Sequence, residues 1–107
     1  MKLDLVLKGV WFDRIESGEK SHEYREIKPY WIKRLTGRLY GGDELSMLKR
    51  GAIGIPSQSF KPYDVVVFHR GYTKQIMTFE IKHISITKDK NNDLGEICFD
   101  ICLGDRL

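Results

Sequence analysis

The sequence predicts an α+β domain: a small, partly open β-barrel, mixed or antiparallel, with two or three short helices at its side or mouth. Three observations carry this. Apolar residues alternate at period two near the start, after residue 75 and near the end of the chain. Helical stripes are confined to the first half. The alternation also slips by one at His83, the trace a β-bulge leaves where a strand bends. A chain of 107 residues buries roughly two thirds of its unfolded surface and has no room for a second core. It therefore reads as one domain over residues 1–107.

Leu3, Leu5 and Leu7 alternate with Lys2, Asp4, Val6 and Lys8, the period of a half-buried strand. Val10, Trp11, Arg14 and Ile15 suit a helix of about two turns that stops at Gly18, a residue able to take the left-handed C-terminal conformation. Ser21 to Ile27 reads as a second strand, with Glu23, Arg25 and Ile27 on one side and His22, Tyr24 and Glu26 on the other. Pro29 suits the first turn of a helix continued by Tyr30 to Arg38, with Trp31, Ile32 and Leu35 as its buried stripe and Lys33, Arg34 and Arg38 facing away.

A shorter helix is expected from Asp43 as N-cap through Leu45 and Leu48 to Gly51. Residues 51–62 (GAIGIPSQSFKP) then form a loop. A loop of this length in so small a domain is expected to border a ligand. Asp64 to Arg70 is a continuous apolar run, the pattern of a strand covered on both faces. The alternating strand from Ile76 to Ile86 follows. The last strand directs Ile97, Phe99, Ile101 and Leu103 inward.

No apolar run approaches the roughly 20 residues that span a bilayer, and the start of the chain lacks the pattern of a signal peptide. A cytoplasmic protein without a membrane partner is expected. Cys98 and Cys102 lie four residues apart on one strand, which separates their Cα atoms by roughly 13 Å, about twice the reach of a disulfide. His22, His69 and His83 show no paired metal-ligand spacing. Neither a metal nor a cofactor is expected.

The formal charge is only +3, but it is unevenly spread. Residues 20–38 hold Lys20, Arg25, Lys28, Lys33, Arg34 and Arg38 against Glu23 and Glu26, a local +4, whereas residues 89–107 sum to −3. Cations interleaved with Tyr24, Tyr30, Trp31 and Tyr40 are what a single-stranded nucleic-acid surface uses, phosphates meeting cations and unstacked bases meeting flat rings. The same residues also fit a solvated helix face over core aromatics, and Trp11 and Trp31 read first as core.

The densest constellation is Gly18-Glu19-Lys20-Ser21-His22-Glu23-Tyr24-Arg25. Its Gly-x-Lys-x-x-Glu-x-Arg pattern follows a Trp11-Phe12-Asp13-Arg14-Ile15 helix and precedes an Asp-x-Val-x-Phe strand (Asp64 to Phe68). In this the chain resembles the ASCH domain, a family of PUA-like β-barrels, over most of its length. The resemblance implies a cleft at Lys20, Glu23 and Arg25 that binds RNA or a modified nucleoside. Spacing supplies a separate reason. Glu23 and Arg25 share a strand face and can pair there, and Lys20 sits at the turn before the strand, within reach of the same face. A carboxylate between two cations accepts from a base amine or ribose hydroxyl while a cation takes phosphate. A structural ion pair at the barrel rim fits the same residues.

Some relatives in the superfamily are amidohydrolases that deacylate an acylated cytidine, with a nucleophilic threonine where Glu23 stands here. A carboxylate cannot replace that hydroxyl, though Glu23 as base toward water and Lys20 as electrostatic stabiliser define an enzyme reading, against acylated pyrimidine nucleosides or RNA. A non-catalytic interaction domain is the third reading. RNA- or nucleoside-contact candidates are Lys20, Glu23, Tyr24, Arg25, Arg34, Arg38, His69, Arg70 and Tyr72, the last three at the end of the apolar strand and in its following turn. Arg70 fits a solvated loop equally well.

Overall fold

The computed structural model describes residues 1–107. The chain is α+β, with strands β1 (Lys2–Leu7), β2 (His22–Arg25), β3 (Val65–Arg70), β4 (Ile76–Thr87) and β5 (Cys98–Arg106) and helices α1 (Gly9–Glu16), α2 (Pro29–Thr36) and α3 (Gly42–Lys49). The five strands form one sheet in the order β1-β3-β4-β5-β2. It is mixed: β1 runs parallel to β3, with Leu5 opposite Phe68, and β3 runs antiparallel to β4, with Val66 opposite Phe79. A parallel pair needs a long crossover, and α1 through α3 lie within the one between β1 and β3.

Contacts gather into two compact units. The first comprises residues 1–23, 62–83 and 101–107, the second residues 24–61 and 84–100. The dividing point in β4 falls between His83 and Ile84, where the apolar alternation slips. Lys82 and His83 are consecutively exposed while Met77, Phe79 and Ile84 are buried.

In the first unit Leu3, Leu5 and Leu7 of β1 are buried, as are Val66, Val67 and Phe68 in succession on β3. That run is what a strand covered on both faces requires. Phe68 and Phe79 meet at 6.1 Å between ring centroids and 63° between planes, an edge-on arrangement that adds about 0.5–1.5 kcal/mol beyond area burial. Helix α1 buries Phe12 and Ile15, not Val10 and Trp11. Val10 is exposed and Trp11 half-buried.

In the second unit α2 buries Ile32 and Leu35. Trp31 stands half out of the core and Arg34 is half-buried rather than facing away, so the expected stripe is narrower by one large ring. The helix ends at Thr36, two residues early, because Gly37 turns left-handed at φ 76° and its N–H donates to the Lys33 carbonyl at 2.7 Å. The N-cap of α3 is Gly41. Asp43 lies inside the first turn, and the Gly41 N–H donates to Glu44 Oε1 at 3.3 Å. The strand expected over 21–27 shortens to His22–Arg25, and residues 51–62 contain a short 3₁₀ turn at Ser57–Ser59. Phe60 beyond it meets Phe99 edge-on at 6.1 Å.

Both cysteines are free thiols, and Cys98 is as fully buried as Phe99, so burial on β5 departs from strict alternation at its start. Burial, reinforced by Asp100, Glu96 and Asp93, pushes the Cys98 thiol from 9.0 up to about 11. Burial and Asp100 also raise the Tyr24 phenol. The sign follows from linkage. Above pH 9 the unfolded chain releases a proton that the folded chain retains, so unfolding is favoured increasingly until the folded thiol also ionises. The urea midpoint is expected to hold from pH 7 to 8.5 and to fall between pH 9 and 11, less steeply in Cys98→Ala. A flat midpoint in wild type would contradict a buried neutral thiol. Gly37→Ala, which forces a side chain into the left-handed region, is expected to cost about 1–2 kcal/mol in the same assay.

Candidate functional site

The Gly-x-Lys-x-x-Glu-x-Arg motif begins where α1 stops. Ser17 N–H donates to the Asp13 carbonyl, Gly18 N–H to Ile15, and Gly18 turns left-handed at φ 83°. The Lys20 N–H then donates back to the Arg14 carbonyl at 3.0 Å. That bond folds the chain against the helix it has just left, which is why the Lys20 ammonium comes to lie 4.7 Å from the centroid of Trp11. The Arg14 guanidinium, one helical turn along from Trp11, stands 5.0 Å from the same ring.

Lys20 Nζ donates to Glu23 Oε1 at 2.9 Å. The two side chains are only 12% and 6% exposed, and Glu23 is the one charged residue that the chain buries outright. A pair this far from solvent interacts strongly but has paid heavily in desolvation. It is weak evidence for stability and better evidence of a specified arrangement. Lys20, Glu23, Trp11 and Arg14 thus form one cluster in the first unit.

A second cluster lies wholly in the second unit. The Arg25 guanidinium, at the end of β2, stands 4.8 Å from the Trp31 centroid, and that of Arg34 stands 5.6 Å from it. Tyr30 meets Trp31 edge-on at 4.8 Å and 82°, and Arg34 Nη1 donates to the Tyr30 hydroxyl at 3.3 Å. Each tryptophan therefore carries two cations, an attraction worth about 0.5–2 kcal/mol per contact according to exposure.

The other predicted contacts are dispersed. Tyr24 is half-buried on β2, and Asp100, Asp93 and Asp89 act on its hydroxyl. Its phenol, raised first by burial and then by those carboxylates, stays protonated at neutral pH. Arg38 stacks on Tyr40 at 4.4 Å and bridges to Glu44 at 3.3 Å. His69 shares a 2.9 Å hydrogen bond with Asp4, and Arg70 reaches Asp13 at 3.3 Å while lying against Gly9. Tyr72 is fully exposed. His83 is exposed too. No group of three or more His, Cys, Asp or Glu residues is placed to hold a metal ion, and no helix is long and apolar enough to cross a membrane.

Trp11 and Trp31 are the residues that sequence reading misplaces, because a tryptophan on a helix beside buried aliphatics looks like core. A signal was present. Both helices carry Trp-x-x-Arg (Trp11 to Arg14, Trp31 to Arg34), and residues three apart on a helix are neighbours. No protein-family model, curated protein or solved structure matches the chain.

Removing one partner of a buried ion pair costs about 3–5 kcal/mol, and contacting residues couple by about 0.5–3 kcal/mol. Lys20→Met and Glu23→Gln are each expected to lower the urea midpoint strongly, and the double variant by less than their sum. Additive losses in that double-mutant cycle would show the two side chains to be energetically independent.

Proposed function

We propose that this chain is an ASCH-type, PUA-like module that binds RNA or a modified nucleoside at the segment from Lys20 to Arg25. The observation that supports the reading is the pair of half-exposed tryptophans, each with two cations against its ring: Trp11 with Arg14 and Lys20, Trp31 with Arg25 and Arg34. Flat rings beside fixed cations are the chemistry of single-strand recognition, since every base offers a π-face and every nucleotide a phosphate. In this reading one cation of the segment, Arg25 or Lys20, takes the phosphate. Glu23 accepts from an exocyclic amine or a ribose hydroxyl, and Tyr24 donates to a base edge. Arg34 and Arg38 extend the cationic surface.

Binding is favoured over turnover by the state of the motif. Lys20 and Glu23, the base and stabiliser of a hydrolytic reading, are engaged with each other in a buried 2.9 Å pair, which leaves neither poised against a water. A ligand amine or hydroxyl can instead insert beside the carboxylate and exchange one donor for another.

The chain has only two tryptophans, so intrinsic fluorescence reports on both clusters directly. Binding to a fluorescently labelled short single-stranded RNA, followed by anisotropy, is expected to quench tryptophan emission. It should weaken about tenfold or more in Arg25→Ala and in Lys20→Ala, and fall linearly with log salt at about 0.7 per phosphate neutralised. Because Lys20→Ala disturbs a buried pair, Lys20→Met/Glu23→Gln is measured beside it, with circular dichroism to verify folding. Full affinity in folded Lys20→Met/Glu23→Gln and Arg25→Ala would defeat the assignment. Hydrolysis of an acylated nucleoside panel or of the RNA would replace it with the enzyme reading.

A further inference from the structure

The second unit carries a groove of about 380 Å³ lined by Pro29, Tyr30, Lys33, Arg34, Leu39 and Lys61. We infer that it is a further subsite for a single-stranded nucleic acid, sharing Arg34 with the Trp31 cluster and seating one base on the Tyr30 and Leu39 surface and its flanking phosphates on Lys33, Arg34 and Lys61. The inference rests on the partner being a single strand, but not on the Lys20–Glu23 motif.

Local structure builds this groove. Tyr30, Lys33 and Arg34 fall at i, i+3 and i+4 on α2 and so share one face. Gly37 then reverses the chain in the left-handed conformation, and Thr36 fixes the reversal: its hydroxyl donates to the Ile32 carbonyl at 2.6 Å and accepts from the Arg38 N–H at 3.1 Å. Leu39 follows at once. Lys61, the residue that opens the last step of the 51–62 loop, is anchored from the other side. Its N–H donates to the Leu35 carbonyl at 2.8 Å, satisfying an otherwise orphaned helix-end acceptor. Its side chain runs so close over Gly37 that a Cβ there would meet Lys61 Cε at 3.1 Å. The loop expected to border a ligand thus contributes a cation to a groove held by backbone hydrogen bonds.

The lining chooses the ligand. Three of the six residues are cations and none is a carboxylate, so the groove favours an anion. Tyr30 and Leu39, 62% and 68% exposed, leave a flat aromatic and an aliphatic surface in water, so the anion must also bring an apolar face. The Tyr30 ring is steadied for that role by the hydrogen bond from Arg34 and by the edge of Trp31, which lowers the ordering cost of stacking. The volume lies in the roughly 300–1,000 Å³ range of small-ligand sites. A nucleotide of a single strand combines these properties: a delocalised ring between two phosphates.

Titration of the full ¹⁵N-labelled chain with a short oligouridylate is the test. Amide shifts are expected at Tyr30, Lys33, Leu39 and Lys61. Lys33→Glu/Lys61→Glu is expected to weaken binding at least tenfold and to reduce the salt slope by about 1.4, at about 0.7 per lost phosphate contact. Tyr30→Ala should weaken it about tenfold with the spectrum otherwise intact. Shifts confined to residues 20–25 would overturn the groove and leave the motif reading standing. Shifts in the groove alone would do the reverse. A groove that answers to poly-glutamate but not to oligouridylate overturns the inference in favour of an acidic protein partner, and silence throughout overturns both readings.

Discussion

Glu23 is a carboxylate that the chain takes out of water, and such a group must be given a cation nearby. Much of the surrounding structure follows from how that cation is delivered. Lys20 is only three residues away, so the turn between them must be tight and the lysine must approach from the α1 side. Gly18 in the left-handed region, with the Lys20 N–H bonded back to Arg14, accomplishes both. The same return carries the ammonium over Trp11. The indole therefore cannot sink into the core as an ordinary buried ring: one face is committed to a cation. Burial passes to Phe12 and Ile15, and the end of α1 and the start of β2 become a single cluster centred on one ion pair.

What the sequence made legible was governed by period. Strands β1, β3 and β4 are readable because Leu3, Leu5 and Leu7, the Val66 to Phe68 run, and Met77 with Phe79 repeat at two or form a continuous apolar block, and the burial follows those positions. The slip at His83 was visible for the same reason, and it falls where the chain passes between its two compact units. Helix ends were less legible. Asp43 is a better N-cap residue than Gly41 by propensity, but the carboxylate of Glu44, the third residue of the helix, reaches back to the Gly41 N–H and draws the start forward. Cys98 departs from alternation because burial at the start of β5 extends to both Cys98 and Phe99.

The site was legible as residue types and not as partners. Lys20 and Glu23 do meet, as a spacing of three around a turn allows. The tryptophans were misassigned because burial scales rank the side chain by its size, whereas the deciding quantity is the charge placed against the ring. His69 and Arg70 looked available at a strand end, yet Asp4 and Asp13 lie sixty-five and fifty-seven residues away in sequence and engage them. Such contacts depend on the parallel pairing of β1 with β3 and on the position of α1, which no local pattern encodes.

A net charge of +3 is too small to hold nucleic acid by bulk attraction, since affinity of that kind needs many phosphates neutralised at once. The distribution matters more than the sum. Burial, and after it the charges of Asp100, Asp93 and Asp89, raise the Tyr24 phenol, while Lys33, Arg34 and Lys61 line a groove with no carboxylate among its walls. In the proposed reading a strand's phosphates keep to the cations, and only an uncharged base edge approaches the acidic neighbourhood of Tyr24. Opposed fields of this kind narrow the set of paths a polyanion can take across a small surface, and they do so at little cost in total charge. Rings fixed beside the cations would, in the same reading, distinguish a strand with unstacked bases from a duplex whose bases are already stacked on one another. In the proposed reading, selectivity for a short single strand arises from exclusion as much as from attraction.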